Sequence, residues 1–432
     1  MHDSFIVTHI MATILPFRPY RPTPELAGKV AAPPYDVVTA DEARALTRRN
    51  RYSFLHVTRA EVDLPPDTDP YDAQVYQQAK ARLALMIAAG TLVRAPEAQL
   101  YIYKQTMRGR EQVGIVACAA IDDYLNGVMK VHELTRSDKE ADRVRHADIC
   151  DAHTGLVFLT YREKTRITDI ITAWIRNHAP VNDFTSRDRI HHAVWGIDDQ
   201  AVIAELVSLF RELPALYIAD GHHRAAAAVK IGQARRAQSP NFTGGESFNF
   251  FPAILVPNSE TKINAYHRIV HGLNGLSLSQ FMDKLQTGTL ELRHLAKNAP
   301  PLLKPHLCGV YVANQWHELS LFRAAQEHAP ADVIERLDVS LLQNYVLSPI
   351  LGIQDPKTDP RLSFVGGVKS VRELERCVTD DDTVAFALYP TKLADVMAVA
   401  DAGKIMPPKS TWFEPKPRCG LFVHVLSEET SH

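Results

Sequence analysis

The chain has 432 residues, of which 46% are hydrophobic and 23% are charged, and its formal net charge is -2. This composition is typical of a globular protein with two or three domains, and it disfavours duplex DNA or an anionic membrane as a partner. No apolar run approaches the roughly 20 residues of a membrane-spanning helix. The five cysteines form no Cys-x-x-Cys pair, which predicts the reducing cytoplasm, without a disulfide framework or a thiolate zinc site.

Apolar periodicity and the positions of proline and glycine predict the elements of the first half. The turn Arg108-Gly109-Arg110 lies between two apolar runs and predicts a hairpin. Ser137 and Glu140 have the spacing of a capping box at the start of a helix. In chain order, the other predicted elements are helices at 41–50 and 71–90, a strand at 127–132, a helix at 137–151, a strand at 156–161, and helices at 167–178 and 198–212.

Strands and helices continue to mix in the second half, so the predicted fold class is α/β or α+β. The predicted elements there are strands at 215–219, 248–258, 309–313, 362–365, 383–388 and 421–426, and helices at 224–237, 278–285, 332–347 and 392–402. The predicted divisions of the chain are a proline-rich N-terminal segment (11–94), a core (95–275) and a C-terminal α/β region (276–432).

The stretch YIADGHHRAAAAVKI contains the densest group of polar residues. It predicts a strand, a tight turn at Asp220-Gly221 and a helix, whose first turn has free N–H groups that suit a phosphate. Arg224 adds a planar cationic fork for the same anion. His222 and His223 are about 100° apart on a helix, so they cannot face one point. The alternative is that Asp220 is a plain N-cap and the histidines are packed structural residues.

A second polar cluster lies at the end of the strand predicted at 127–132. His132 and Glu133 lie at the mouth of this strand, and a carboxylate beside basic residues is typical of a general base for a hydroxyl. Thr135 and Lys139 follow and add a hydroxyl and a cation for substrate and phosphate. Arg143 and Arg145 either hold the same phosphate or lie on a solvated helix face, and the solvated face is the favoured interpretation.

Three further loops present polar groups. Pro33-Pro34 forces an extended path and stiffens the loop that follows. The second loop follows a predicted strand, and the third lies in a proline-rich stretch. Their residues are also ordinary turn residues. The polar residues of the three loops are Tyr35 and Asp36, then Tyr266, His267 and Arg268, then Lys409, Ser410 and Thr411.

The sequence has no GxxxxGK[ST] loop, no GxGxxG turn, no HExxH and no GxSxG, which argues against the common nucleotide-binding and hydrolase folds. The blocks KVAAPPYDV, SFLHVTRAE, VHELT, YIADGHHR, AYHRIV and MPPKSTWFEPKPRCGLF do occur, in this order. On these blocks the chain is identified as a member of domain-of-unknown-function family 1015. The resemblance covers nearly all of the chain from Met11 to Val425.

The DGHHR block also resembles the G-x-H-R turn of the ParB/sulfiredoxin-like fold. The resemblance implies a ParB/sulfiredoxin-like core at 95–275 whose turn binds nucleotide phosphates. One branch of that superfamily consists of kinases that act on free serine and use a glutamate as base. By this resemblance Glu133 matches the base, and the phosphate turn is matched by Asp220, His222, His223 and Arg224.

The leading hypothesis is therefore a phosphotransferase, a kinase for the hydroxyl of a small metabolite, with free L-serine as the favoured acceptor. ATP, ADP or pyrophosphate is the expected donor, and Mg²⁺ is the expected cofactor, with Asp220 as its protein contact. The catalytic residues are expected to be Glu133, Asp220 and His223. Donor contacts are expected from Gly221, His222, Arg224, Lys139, His267, Arg268, Lys409, Ser410 and Thr411. Substrate contacts are expected from Tyr35, Asp36, His132 and Thr135.

Two alternatives stay open from the residues alone. One is a nucleotide-binding regulatory module of the ParB type, and the other is a phosphohydrolase or nuclease. The expected partners are a small hydroxyl compound and a phosphoryl donor, with no membrane and no DNA. A homodimer is compatible with the sequence.

Overall fold

The computed structural model describes residues 11–239, 241–286, 288–296, 299–327, 332–367 and 371–427. The chain forms two compact units. The first unit consists of Met1–Thr261 together with Pro415–His432, and the second of Lys262–Glu414. The structure thus divides the chain differently from the expected boundaries at 94 and 275, because the C-terminal residues return to the first unit.

The first unit contains twelve strands in the described part of Met1–Thr261. Most of them form one sheet, and β2 pairs with β3 in a separate ribbon. The strands are β1 (Ile14–Leu15), β2 (Tyr20–Pro22), β3 (Leu92–Arg94), β4 (Leu100–Met107), β5 (Arg110–Ala120), β6 (Met129–Lys130), β7 (Ala152–His153), β8 (Val157–Tyr161), β9 (Asn182–Thr185), β10 (His191–Ile197), β11 (Leu216–Asp220) and β12 (Phe250–Pro257).

The order in the large sheet is β6-β11-β8-β12-β5-β4-β10-β9, and β1 pairs with β5. The β6–β11 and β8–β12 pairs are parallel, whereas the other pairs are antiparallel. The predicted hairpin is confirmed as β4–β5. Its turn residues Arg108 and Gly109 both have positive φ, 53° and 78°, as a two-residue type I′ turn requires.

The helices of the first unit pack on this sheet or on one another. They are α1 (Ala27–Val30), α2 (Ala40–Thr47), α3 (Leu55–Thr58), α4 (Ala73–Ala88), α5 (Ile121–Leu125), α6 (Ser137–Cys150), α7 (Thr165–Asn177), α8 (Gln200–Arg211) and α9 (His222–Gln238). Side chains cap several of them: Thr39 forms a capping box with Glu42, and Asp72 and Asp199 accept from first-turn N–H groups. These caps satisfy N–H groups that have no partner within the helix.

Two apolar clusters form the core of the first unit. The larger cluster joins the sheet to α7, α8 and α9, with Trp174, Phe210 and Ala228 among its buried members. The smaller cluster joins α3 and α4 to the returning segment, through residues such as Phe54 and Val423. The return ends in β21 (His424–Val425), which pairs with β7.

The second unit has its own six-stranded antiparallel sheet in its described residues, in the order β15-β17-β16-β19-β14-β18, and β13 pairs with β20. Its strands are β13 (Ile263–Asn264), β14 (Tyr266–His271), β15 (Glu291–His294), β16 (Leu307–Val312), β17 (Gln315–Ser320), β18 (Leu362–Gly366), β19 (Thr383–Ala387) and β20 (Trp412–Phe413). Its helices are α10 (Leu278–Lys284), α11 (Phe322–Glu327), α12 (Asp338–Leu342), α13 (Val371–Cys377) and α14 (Leu393–Asp401). Both units mix helices and strands, so the predicted α/β or α+β class is confirmed.

Three local predictions are wrong. Ser137 and Glu140 form no capping box, because Ser137 is already the first residue of α6 and Arg136 holds the N-cap position without a side-chain cap. The helix expected at 332–347 begins only at Asp338 and continues as a π-helix, Gln343–Leu347. Of the last predicted strand, only His424–Val425 forms a strand, and Val423 adds an isolated antiparallel bridge to Tyr20. In the described part of the chain, no helix is long and apolar enough to cross a membrane.

Candidate functional site

The DGHHR turn joins β11 to α9 in the first unit. Gly221 has φ +92°, a conformation that residues with a side chain rarely adopt. It is also the N-cap of α9, so no side chain caps the first turn of this 17-residue helix. The carbonyl of Gly221 accepts from the N–H groups of Arg224 and Ala225, at 2.9 and 3.0 Å. A helix start carries positive partial charge, which suits a phosphate.

The two histidines of the turn lie in different environments. His222 is buried, and its ring meets the buried ring of His132 edge-on, with centroids 4.6 Å apart. Burial lowers the pKa of His132 to about 4 and the pKa of His222 well below its ordinary value. His223 is half-buried, and its Nε2 accepts from the backbone N–H of Arg136 at 3.0 Å. His222 is therefore a neutral packed group, whereas His223 reaches toward the segment that follows Glu133.

Asp220 forms an ion pair with Lys416, a residue of the returning segment. The Lys416 side chain is only 12% exposed. Burial by itself lowers the pKa of Lys416, but the carboxylates of Asp220, Asp36 and Glu133 outweigh it, so the pKa is raised above its ordinary value. Asp220, Asp36 and Glu133 thus favour the charged ammonium form of Lys416.

Arg224 extends from the same turn toward the returning segment and a proline-stiffened loop. Its Nη2 donates to the Sγ of Cys419 at 3.3 Å, and its guanidinium lies 5.2 Å from the ring centroid of Tyr35. A Cβ on Gly155 would lie 2.8 Å from Nη1 of Arg224 and 3.0 Å from the Cys419 sulfur. Gly155 therefore provides the space in which this arginine lies.

Asp220, Arg224 and Lys416 form a charged cluster at the DGHHR turn. The loop after Pro33-Pro34 brings Tyr35 and Asp36 to this cluster. Arg59 fixes the loop, because its Nη1 donates to the carbonyls of Tyr35 and Val38, both at 2.8 Å. Burial raises the pKa of Tyr35 to about 12, although two neighbouring arginines act to lower it. Asp36 is exposed, yet its charge acts on both Lys416 and Arg224.

Arg143 corrects an expectation from the sequence. It was expected on a solvated helix face, as Arg145 was, but it is only 7% exposed whereas Arg145 is exposed. Its guanidinium lies 3.9 Å from the ring centroid of Tyr35, and its Nε and Nη2 both donate to Asp142. The aromatic ring of Tyr35 thus contacts two guanidinium groups, from α6 and from α9.

Thr135 and Lys139 have partners outside this cluster. Thr135 donates to Glu140 at 2.5 Å, and Glu140 also pairs with Lys230. Lys139 donates to the hydroxyl of Tyr71 and lies 5.2 Å from its ring centroid. Their expected contacts with substrate and donor stay predictions.

A magnesium site built from protein side chains alone does not fit at Asp220. The carboxylate of Asp220 is already paired with Lys416, and the described residues contain no group of three or more His, Cys, Asp or Glu side chains placed to hold a metal. Mg²⁺ prefers few protein carboxylates and the oxygens of substrate phosphates. Lys416 engages Oδ1 of Asp220, so a direct bond to Mg²⁺ would come from Oδ2 or would compete with this ion pair.

A family model described as "Protein of unknown function (DUF1015)" matches residues 14–340, more than half of the chain. The chain belongs to this family. The membership expected from the sequence blocks is therefore confirmed. No curated protein matches the chain.

Several solved structures are similar to this DUF1015 member. A mutant of a free serine kinase in complex with ADP shares 13% identity over 74% of this chain and 94% of its own, with a TM-score of 0.37. SbnI from Staphylococcus aureus, with a C-terminal truncation, shares 11% over 73% and 86%, with a TM-score of 0.36. A conserved hypothetical protein from Pyrococcus furiosus shares 14% over 72% and 95%, with a TM-score of 0.34. The ParB/sulfiredoxin-like core stays a prediction.

The remaining predicted donor contacts of this DUF1015 member lie in its second unit. Arg268 donates to the carbonyls of Tyr266, Lys409 and Pro408, at 2.7, 2.9 and 3.2 Å. The ring nitrogen Nδ1 of His267 accepts from the N–H of Leu388, and Ser410 donates to the carbonyl of Pro407. The Lys409 ammonium lies 5.6 Å from the Tyr266 ring centroid. These contacts tie β14 to the loop at 407–411, and the role of the loop in donor binding, including that of Thr411, stays a prediction.

Sequence reasoning missed three side chains of the cluster: Lys416, Arg143 and Cys419. Lys416 lies between Pro415 and Pro417, and prolines on both sides of a lysine indicate a fixed loop. The same proline-rich stretch contains Lys409–Thr411, which carry the same local signal. The pairing of Lys416 with Asp220 spans 196 positions in the sequence, so no local pattern indicates it.

Proposed function

We propose that this protein is a phosphotransferase that moves a phosphoryl group onto the hydroxyl of a small metabolite, with free L-serine as the favoured acceptor. The observation that carries the proposal is the group of Glu133, Asp220 and Lys416 beside the uncapped start of α9. It combines a carboxylate for proton removal with a cation and the positive partial charge of a helix start for a phosphate. Phosphoryl transfer depends mainly on such positioning and charge stabilisation.

The proposed step uses Glu133 as the base. The acceptor oxygen attacks the terminal phosphorus of the donor, a new O–P bond forms, and the bridging P–O bond to the leaving group breaks. The hydroxyl proton goes to the carboxylate of Glu133. Negative charge that develops on the transferred group is stabilised by Lys416, Arg224 and the start of α9. Asp220 positions Lys416, because its carboxylate pairs with the ammonium group.

The donor is ATP, ADP or pyrophosphate, each of which presents a terminal phosphate to the same turn. His223 lies beside Arg224 at this turn and is assigned to the transferred phosphate. Tyr35 and Asp36 are assigned to the acceptor, since their loop adjoins Arg224. A Mg²⁺ ion that accompanied the donor would supply positive charge against the phosphate, without a site built from protein side chains alone. The five free cysteines accord with a cytoplasmic enzyme.

Glu133→Gln tests the proposal, because glutamine keeps the shape of the side chain but cannot take a proton. We expect turnover to fall about 10²–10⁴-fold, the usual contribution of a positioned base, while binding of the donor changes little. Phosphorus NMR with ATP, ADP and pyrophosphate against L-serine and other hydroxyl metabolites measures the transfer. Glu111→Gln, on an exposed side chain of β5, is the matched control.

Full activity of Glu133→Gln would remove the role of this base. Release of free phosphate without an acceptor would favour the phosphohydrolase alternative. Nucleotide binding by the wild-type protein without transfer to any acceptor would favour the regulatory module.

A further inference from the structure

A small cavity of about 20 Å³ lies in the first unit, and Arg224 is one of its lining residues. Polar groups of Arg143, His153 and Thr154 also line it, together with Gly155. Among the described residues that line it there is no carboxylate. The cavity is therefore a small space whose charged walls carry positive charge only.

Two of the lining residues each have a buried polar atom without a hydrogen-bond partner in the described chain: Nη1 of Arg143 and Nε2 of His153. The two residues are only 7% and 8% exposed. The other edge of the Arg143 guanidinium donates to Asp142, from Nε at 2.9 Å and from Nη2 at 2.6 Å. A buried donor without an acceptor costs about 1–3 kcal/mol, and more when it is charged. An acceptor in the cavity removes this cost.

His153 contributes a neutral ring to the cavity. Burial lowers the pKa of His153 well below its ordinary value, and neighbouring His424 and Arg224 lower it further. A neutral imidazole still carries one N–H, and in the Nε2–H tautomer that group is a buried donor of a residue that lines the cavity. Arg143 and His153 then supply two donors from two elements, α6 and β7.

The size of the cavity limits the occupant. A water needs about 10–15 Å³ of such space. A cavity of 20 Å³ therefore holds one atom or molecule about as large as a water. A water would present two O–H donors to walls whose charged side chains are themselves donors. A monatomic anion, or one oxygen of a larger anion, accepts from all of them and is attracted by both guanidinium groups.

We propose that this cavity is an anion site, filled by a halide such as chloride or by one oxygen of a carboxylate or phosphoryl group. Arg143 Nη1 and His153 Nε2 are its donors, and Arg224 supplies the second positive charge. The site does not depend on phosphoryl transfer, because its two donors lie outside the proposed catalytic group.

Bromide is the probe, since it replaces chloride and scatters anomalously. Crystals of the full chain, grown without halide and soaked in bromide, are expected to show an anomalous peak within hydrogen-bond distance of Arg143 and His153. In solution, bromide added to halide-free protein is expected to raise the unfolding temperature with saturation, as ligand linkage requires. His153→Phe removes one donor and is expected to weaken this response about tenfold.

Arg143→Lys and Arg145→Lys form a matched pair on α6, since Arg143 is buried and Arg145 is exposed. The first is expected to lose most of the bromide response, and the second to keep it. If Arg143→Lys fails to fold, His153→Phe still decides the question. No anomalous peak in the cavity, or an equal response in the wild type and in both cavity variants, would overturn the site.

Two further arms identify the source of the anion. If an anionic group of a substrate fills the cavity, then L-serine or pyrophosphate will shift the bromide titration competitively. If a halide is the occupant, neither compound will shift it, and both outcomes support an anion site. Glu133→Gln is expected to bind bromide as the wild type does. Failure of the proposed kinase activity therefore leaves this inference intact, and failure of the anion site leaves the kinase proposal intact.

Discussion

Arg224 in the first unit is half-buried and Arg268 in the second is buried, and the sequence assigned both to a phosphoryl donor. Their surroundings differ. Arg268 donates to three backbone carbonyls and lies 5.0 Å from the ring centroid of Phe364. Arg224 contacts a thiol and the face of Tyr35. A guanidinium that backbone carbonyls engage ties loops together, whereas one beside weak acceptors keeps donors for a ligand.

Among the changes that test this comparison, Arg224→Lys is expected to have the largest effect. We expect turnover to fall about 10²–10³-fold, since a point charge replaces a planar fork at the developing charge. The free energy of unfolding should change by only about 1 kcal/mol. Phosphorus NMR initial rates and urea unfolding measure the two effects. Arg235→Lys, on the same helix but paired with Asp148 and Asp151, is the control that should keep full turnover. A loss of stability without a loss of rate would make Arg224 a structural residue.

Arg268→Met should show the opposite pattern. Methionine keeps an unbranched chain over Phe364 but leaves three carbonyls without their donor, so we expect the free energy of unfolding to fall by about 2–3 kcal/mol. Any loss of turnover should be no larger than the loss of folded protein. Urea unfolding measures the change, and Arg376→Met, on an exposed side chain of α13, is the control. A larger loss of turnover would restore the donor role that the sequence suggested.

His267→Asn tests the same region with a smaller effect. Burial and then Arg268 lower the pKa of His267 to about 4, whereas its value in the unfolded chain is about 6.5. The unfolded state therefore binds more protons between these values, so stability falls as the pH decreases from 6.5 toward 4, by up to about 1.4 kcal/mol per unit. Asparagine retains an acceptor for the N–H of Leu388 but does not titrate. We expect a shallower slope in urea unfolding across this range, and parallel slopes would contradict the buried state of His267.

Local patterns predicted much of the first unit. The helix at 137–150, the hairpin at Arg108-Gly109 and the strand–turn–helix around Gly221 all follow from alternation, glycine conformation and alanine content. They are short-range features, and the structure has all three. The strand β10 was missed, because its sequence, HHAVWGI, starts with two histidines and lacks a clear alternation.

The candidate site was predicted less completely, because its members come from distant segments. The sequence indicated Glu133, Asp220 and Arg224 from their local setting. It did not indicate that Arg143 turns inward to Tyr35, since an arginine among charged residues on a helix resembles a solvated face. Nor did it indicate Lys416, whose partner lies 196 positions away. Long-range pairing of this kind is set by tertiary packing and leaves no local period.

The origin of Lys416 in the returning segment has a consequence for biosynthesis. When the ribosome has completed Asp220, another 196 residues must still be added before its partner exists. At about 5–20 residues per second this delay is roughly 10–40 s. During that time β11 and α9 can form, but the carboxylate of Asp220 lacks its ammonium counter-ion. A nascent chain that stops before Pro415 therefore contains the carboxylate of Asp220 but not the ammonium group of Lys416 that pairs with it.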